Sequence, residues 1–354
     1  MRIGVVTTSY PRWRGDAAGS FVEGHVLALR AKGHEVDVLA AGDGPDRIAS
    51  SLFYTGGAPD LLERSPRTLL AAGAFTVRLA ARLATRRHDA IIAHWLAPSA
   101  IAALPASAPL LAIAHGGDVH TLRRLHLLRP VLQLLRRRGA RLAFVSAELR
   151  ELAHAALPGA YVAESLVQPM GVSLAHFNAL GRAPLDPPML LVAARLVPVK
   201  GVDLMLDALA HLPDVRLVVA GDGPERARLA HPRATFLGQV DTATRDRLLR
   251  EASVVVVPSR NLPNGRSEGT PLIALEALAA GVPVVASAVG GLRELPVRLA
   301  PPTAIGLATA IDDVLRTPPS SARLTASVAH LDWAEVADRL AGEKPVTPAR
   351  RHTA

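Results

Sequence analysis

The chain has 354 residues, 49% hydrophobic and 20% charged, which is enough material for two ordinary domains with their own cores and argues against disorder over most of its length. It contains no cysteine, which removes disulfides, thiolate zinc sites and cysteine nucleophiles. A formal net charge of +9 leaves nucleic acid, an anionic membrane surface or a phosphorylated ligand as partners, and the lack of an aromatic-rich RNA-binding pattern or zinc-finger spacing sets nucleic acid aside.

The N-terminal "MRIGVVTTSYPRW" is too short an apolar run for a signal peptide. No charge-free stretch of about 20 apolar residues predicts a membrane-spanning helix. The expectation is a cytoplasmic protein. "RIGVVTT" (Arg2–Thr8) reads as a buried strand, followed by a helix from about Ser20 to Lys32 that stops at Gly33. "EVDVLAA" is the next strand. A helix near Arg67–Arg86 precedes the strand runs "AIIAH", "LLAIAHG", "RLAFVS" and "YVAESLVQP". Between them, "TLRRLHLLRPVLQLLRRRGARL" is strongly basic, with Pro130 breaking the helical pattern. "SLAHFNALGRAPLDPPM" carries Pro184, Pro187 and Pro188 with little periodicity and reads as a linker. Alternation resumes with "MLLVAARL", "VRLVVAG", "ATFLG", "SVVVVP" and "VPVVAS", and the tail "GEKPVTPARRHTA" is polar. Short apolar runs separated by helices predict an α/β protein of two Rossmann-like domains with parallel sheets. The boundaries are 1–172, a linker 173–187, a second domain 188–342 with a last helix that can pack back on the first, and a tail 343–354.

Ligands of such sheets bind at the strand-to-helix loops. "AGDGPER" lacks the third glycine of a dinucleotide fingerprint, and no phosphate-binding P-loop, His-Glu-x-x-His or Asp-x-Asp pattern occurs. In "AARLVPVKGVD", Arg195 and Lys200 stand five residues apart with no acid between them, as a diphosphate would require, or simply as a solvated basic loop. In "SEGTPLIALEALAAG", Thr270 suits an N-cap, Pro271 the first helical turn, and Gly281 a C-terminal stop. The exposed amides of that helix start suit a phosphate. Glu268 and Glu276 are too far apart for one acid/base pair, so they would flank a docked anion and accept hydrogen bonds from hydroxyls. As an isolated pair they also fit a helix residue and a loop charge.

"RSEGTPLIALEALAAGVPVVASAVGGLRE", with its Glu-x7-Glu spacing, resembles the signature of glycosyltransferase family 4, the retaining GT-B enzymes also called group 1. "ARLVPVKGVDLMLDAL", "VVAGDGPER", "AHGGDVH", "MGVSLAHF" and "SYPRWRGDAAGSFV" resemble further segments of that family in the same order. The resemblance runs from the first strand to about Trp333. It implies a GT-B fold and a nucleotide-diphosphate-sugar donor, UDP- or GDP-linked, held by the second domain. Arg195 and Lys200 would hold the diphosphate, Glu276 the ribose and Glu268 the donor-sugar hydroxyls. Amides of Gly269, Thr270, Leu272 and Ile273, around Pro271, would face the leaving phosphate. His115 would approach the sugar from the first domain, with Asp118 in the same loop, and Gly19 would admit the backbone to the phosphates. No metal or other cofactor is implied.

The acceptor would be a glycan or lipid-linked molecule of cell-envelope or polysaccharide synthesis, with an anionic membrane surface as a possible partner of the basic segment. Arg12, His94 and Trp95 are acceptor-side candidates by loop position. Two departures stand out. Ala18-Gly19 replaces a Gly-Gly pair, and Gly171-Val172-Ser173 replaces Gly-Val-Asp. A sugar-nucleotide epimerase of the same double-Rossmann plan, or a non-catalytic nucleotide-sugar-binding protein, are the competing readings.

Overall fold

The computed structural model describes residues 1–13, 15, 16, 18–42, 47, 48 and 66–342, so the polar tail 343–354 lies outside the described residues. The first domain is a seven-stranded parallel sheet of β1 (Arg2–Thr7), β2 (Glu35–Ala41), β3 (Arg47–Ile48), β4 (Ala90–His94), β5 (Leu110–Ala114), β6 (Arg141–Phe144) and β7 (Leu166–Val167). The spatial order is 3-2-1-4-5-6-7. The second domain is a six-stranded parallel sheet of β8 (Met189–Ala193), β9 (Arg216–Ala220), β10 (Ala234–Gly238), β11 (Val254–Val257), β12 (Val284–Ser287) and β13 (Arg298–Ala300), ordered 10-9-8-11-12-13. Both sheets thus share the doubly-wound Rossmann order, and their strands read as unbroken Val/Leu/Ile runs because helices cover both faces. Val5, Val6, Leu190, Leu191, Val254 and Val255 have no exposed surface. Two such domains with facing loops form the GT-B architecture.

Helices α1 (Ser20–Ala31), α2 (Pro66–Ala84), α3 (Gly117–Arg124), α4 (Leu128–Arg137), α5 (Ala147–Ala156) and the single turn α6 (Ala160–Ala163) belong to the first domain. Where "YVAESLVQP" suggested one strand, the backbone makes the turn α6 and then only the two-residue β7. Pro130 does not break the basic segment either: it sits in the first turn of α4, where its missing N–H leaves no helical bond unmade.

The linker region holds a short helix, α7 (Leu174–Ala179), which its weak periodicity concealed. In the second domain, α8 (Val202–Ala208), α9 (Thr242–Glu251), α10 (Leu272–Ala279), α11 (Ala304–Arg316) and α12 (Ser321–Ser327) flank the sheet. The last helix, α13 (Trp333–Ala341), leaves the second domain and packs on α1 of the first.

That crossing explains the Ser173 departure. Ser173 sits at the N-cap of α7 but its side chain caps nothing. Asp332 does it instead: its Oδ2 accepts from Leu174 N at 3.2 Å, while its Oδ1 accepts from Ala334 N at 3.0 Å and caps α13. One carboxylate therefore caps two helices at the interdomain crossing. Next to it, the Trp333 indole occupies a notch made by two glycines. A Cβ on Gly24 would lie 2.3 Å from Trp333 Nε1, and one on Gly171 would lie 2.5 Å from Trp333 Cδ2. Lys32 pairs with Asp338, and Arg339 Nε donates to Gln168 Oε1 at 2.7 Å, so α13 is also bound to the first domain by charge.

Losing one N-cap costs about 1 kcal/mol, so Asp332→Ala should cost about 2 kcal/mol and lower the melting temperature by several degrees. Asp332→Asn should lose less. Adding Ser173→Asp to Asp332→Ala should recover part of the loss, because an acidic N-cap for α7 is then supplied locally. A thermal melt of the four proteins checks this.

Candidate active site

The site lies where the carboxyl ends of the two sheets face each other. A cavity of about 830 Å³ opens between them. Arg12, Ala18 and Ser20, after β1, line it from the first domain. Arg195 after β8, Gly221 after β9, Val240 after β10, Thr242 and Arg245 on α9, and Leu272, Ile273 and Glu276 on α10 line it from the second. Gly19 has φ +71, and a Cβ there would stand 2.4 Å from Ser9 O, so only glycine lets the β1 loop fold against itself at this point. Ala18 is not among the described residues with positive φ, so the alanine departure is compatible with the loop path. Asp16 organises this loop by accepting from Arg12 Nε at 2.7 Å and from Ala18 N at 3.1 Å.

Glu268 is the most constrained acid of the site. Its Oε2 accepts from Lys200 Nζ at 2.6 Å and from Ser259 Oγ at 2.9 Å. Burial would raise its pKa, but the Lys200 charge and these two bonds outweigh that and hold the carboxyl below the usual carboxylate range. Its backbone is equally fixed. Gly291 N donates to Glu268 O at 3.0 Å, and a Cβ on Gly290, at φ +53, would stand 2.1 Å from the same oxygen. The "VGG" turn after β12 is therefore a mould for the Glu268 peptide.

Glu276 lies one turn into α10. Its Oε1 accepts from Arg245 Nη1 at 2.9 Å. Burial and the neighbouring Asp246 raise its pKa despite the Arg245 charge. Arg245 is itself held by Asp246 Oδ1 at 2.8 Å, and Asp246 accepts a contact from His176 of α7 at 2.8 Å. Arg245, Asp246 and Ser259 carried no sequence signal. Each is an ordinary polar residue whose partner lies on another element.

The helix start differs from the expectation in one respect. Thr270 is not the N-cap of α10; Pro271 occupies that position, and Thr270 Oγ1 donates to Val145 O of the first domain at 2.9 Å. Residues Gly269–Ile273 thus form the seam between domains as well as the helix entry. A Cβ on Gly269 would stand 3.3 Å from His115 O. Further bonds close the seam. Ala147 N and Glu148 N of α5 donate to Glu294 at 2.9 and 3.1 Å, and Ser267 Oγ donates to Glu148 Oε1 at 3.1 Å.

His115 meets this seam from the first domain. Asp118, expected to contact the donor, is instead consumed by backbone. Its Oδ2 accepts from Leu96 N at 2.7 Å, and its Oδ1 accepts from His115 N and Gly116 N, each at 3.1 Å. It is a buried loop organiser. One thing it steadies is the neighbouring Trp95, whose φ of 77 is unfavourable for a non-glycine residue. His94 is fully buried, so it offers no acceptor contact of its own. Trp95 packs on His115 with ring centroids 5.0 Å apart. The structure therefore brings Arg195 and Glu276 to the cavity wall, and Lys200, Glu268, Gly269, Thr270 and His115 to the adjoining seam.

Two family models match the chain. Residues 18–173 match the model described as Glycosyltransferase Family 4, and residues 181–328 match Glycosyl transferases group 1. D-inositol 3-phosphate glycosyltransferase of Mycolicibacterium gilvum is 40% identical over 144 residues, a match spanning 34% of this chain and 31% of that protein's length. The chain thus matches about a third of the length of its curated relatives. Sucrose-phosphate synthase of Thermosynechococcus elongatus superposes with a TM-score of 0.70 at 22% identity over 97% of this chain and 98% of that one. Anabaena HepE, solved with UDP-glucose, gives 0.69 at 20% identity, again over 97% and 98%. With one model on each domain and the GT-B architecture beneath both, the chain belongs to glycosyltransferase family 4, the group 1 glycosyl transferases.

Proposed function

We propose that this glycosyltransferase moves a hexose from a UDP- or GDP-sugar to a glycan or lipid-linked acceptor of cell-envelope or polysaccharide synthesis, with retention at the anomeric carbon and without a metal ion. The observation that carries the reading is the pairing of two largely buried carboxylates with two cations, Glu268 with Lys200 and Glu276 with Arg245, at the two ends of one loop-and-helix segment. A donor with sugar, diphosphate and ribose in a row has matching parts.

In this reading Arg195 and the Lys200 ammonium neutralise the diphosphate, and the first amides of α10 point at the phosphate that leaves. Lys200 has three donors, of which the Glu268 contact uses one. Glu276 accepts from the ribose hydroxyls, with Arg245 fixing its orientation, and Glu268 accepts from hydroxyls of the sugar. The C1–O bond to the diphosphate breaks, C1 bonds to the acceptor oxygen, and the acceptor proton passes to the departing diphosphate. Charge neutralisation at the leaving group is the work a divalent ion performs in other transferases, and two cations with helix amides can supply it.

The exposed side of the basic segment supports a membrane-associated acceptor. Arg123, Arg129, Arg136 and Arg137 are exposed there, with Leu127 and Leu134 exposed at 46% and 43%. Cations with interleaved leucines suit an anionic lipid surface.

Three tests follow from this reading. A panel of nucleotide sugars should contain one or more that raise the melting temperature by mass action, with transfer insensitive to EDTA and NMR of the product showing the donor's anomeric configuration. Inversion, EDTA inactivation, or isomerised donor in place of transfer would each overturn the corresponding part. Glu276→Ala should abolish the donor-induced melting shift, and Lys200→Ala should lower kcat about 10²-fold or more. Because Lys200→Ala also leaves the Glu268 carboxylate unpaired, the double variant Lys200→Ala, Glu268→Gln serves as the folding control. In flotation assays the protein should rise with vesicles containing anionic lipid at low salt, and Arg129→Glu with Arg136→Glu should suppress it. Flotation indifferent to lipid charge would remove the membrane from the proposal.

A further inference from the structure

Three histidines from three elements form a line that ends in the seam. His115 Nε2 lies 3.0 Å from His94 Nδ1, and His94 Nε2 lies 3.2 Å from His25 Nδ1. His115 follows β5, His94 ends β4, and His25 sits in α1. His25 and His94 have no exposed surface, while His115 is half-buried. The rings are enclosed by aromatic groups. Phe21 packs on His115 with centroids 4.9 Å apart, Trp95 at 5.0 Å, and Trp333 stacks on His25 at 5.7 Å and 9°.

From this geometry we infer that His25 and His94 are positioning residues which lock His115 into the tautomer protonated on Nδ1, so that His115 meets the donor sugar as a hydrogen-bond donor. The inference rests on the functional reading above for its sugar, but not for its chemistry. Burial pushes His25 down to about 4 and His115 down to about 3, and His94 lies well below its ordinary value. All three rings are therefore neutral at pH 7, with one proton each.

Two contacts between neutral rings need one proton apiece, so the tautomers are tied together. Either every ring carries its proton on Nδ1 or every ring carries it on Nε2. The far end selects between them. His25 Nε2 is buried and has no hydrogen-bond partner among the described residues. A proton there would be an orphaned N–H, and buried orphaned donors are rarer in folded proteins than under-used acceptors. The indole of Trp333 does not rescue it. An N–H lies in the plane of its own ring, and with the two rings nearly parallel it points along the indole face rather than into it. With Nε2 of His25 bare, its proton is on Nδ1 and donates to His94 Nε2. The His94 proton is then on Nδ1 and donates to His115 Nε2. His115 keeps its own proton on Nδ1, the ring nitrogen outside the line.

The test reads tautomers directly. The full chain is labelled with ¹⁵N-histidine, and long-range ¹H–¹⁵N correlations are recorded from pH 5 to 8, with His25→Phe, His25→Gln and His115→Asn used for assignment. All three rings should show protonated Nδ1, and none should titrate in that range. An Nε2-protonated His115, or one that titrates near 6.5, overturns the inference. His25→Phe keeps a ring against Trp333 but removes the N–H; a proton on His94 Nε2 then meets an aromatic ring, a weak acceptor, instead of being orphaned, so His115 should become a mixture of tautomers. In transfer assays its kcat should fall about fivefold to tenfold with donor KM little changed, the size of one lost neutral hydrogen bond. His25→Gln, whose amide can still donate, should restore much of both. If His25→Phe does not fold, the pair of wild type and His25→Gln still decides the matter through the His115 tautomer alone. Because the spectra need no substrate, correct tautomers in a chain without transferase activity would sink the functional reading and leave the relay standing.

Discussion

The structure turns on a carboxylate that should not be cheap to bury. Glu268 sits in the seam between two domains with its side chain only 11% exposed, and a carboxylate so far removed from water is tolerated only when charge and hydrogen bonds replace that water. Lys200 supplies the charge, Ser259 a bond, and the Gly290-Gly291 turn fixes the peptide that carries it. These three partners come from the loops after β8, β11 and β12. They are therefore held in register by the strand order 8-11-12. The same constraint determines where α10 can begin. With Glu268 immobilised, the chain has only Gly269 to Pro271 in which to reach the helix, and Thr270 is turned toward Val145 O instead of capping. No side chain caps the start of α10.

The second requirement is that two rigid sheets keep a defined relation. Here the chain uses its last helix. Asp332 caps α7 and α13 together, and the glycines at 24 and 171 admit Trp333 where any side chain would collide. The same indole lies on His25, and His25 begins the line of rings that reaches His115. The interdomain crossing and one wall of the seam thus share an aromatic anchor, so the packing of the C-terminal segment bears on a side chain in the first domain's loops.

Much of this was readable from sequence, for a physical reason. Central parallel strands are covered on both faces, so β1, β4, β5, β8, β9, β11 and β12 appear as apolar runs that composition alone exposes. The two-residue β3 and the three-residue β13 lie at sheet edges, where burial no longer dictates the pattern. The charged pairings were partly legible, since Lys200, Glu268 and Glu276 stand out in apolar surroundings. Arg245 did not, being one arginine of several in "DTATRDRLLR" whose partner lies on another helix. Thr270 and Asp118 show the limit most clearly. A local capping rule assigned Thr270 to the helix start, and the family resemblance placed Asp118 beside the ligand. Tertiary partners, the Val145 carbonyl and three backbone amides, then claimed the same oxygens.

The excess of basic residues also changes meaning once the fold is known. Several arginines act as internal staples on backbone carbonyls. Arg138 spans Leu104, Ala106 and Ala108, Arg233 spans Leu209, Leu212 and Pro213, and Arg182 holds Ala252. Guanidinium suits this work, because a planar fork with five donors can satisfy several carbonyls at once and stays charged even when half-buried. A net charge of +9 therefore overstates the surface available to an anionic partner. What remains outside these staples on the basic segment lies on α3, α4 and the turn between them, apart from Arg141 of β6, which donates to Ala341 O at 3.2 Å. The run Arg136–Arg138, which reads as one charge block in sequence, divides accordingly, with Arg136 and Arg137 facing water and Arg138 bound to the carbonyls beneath it.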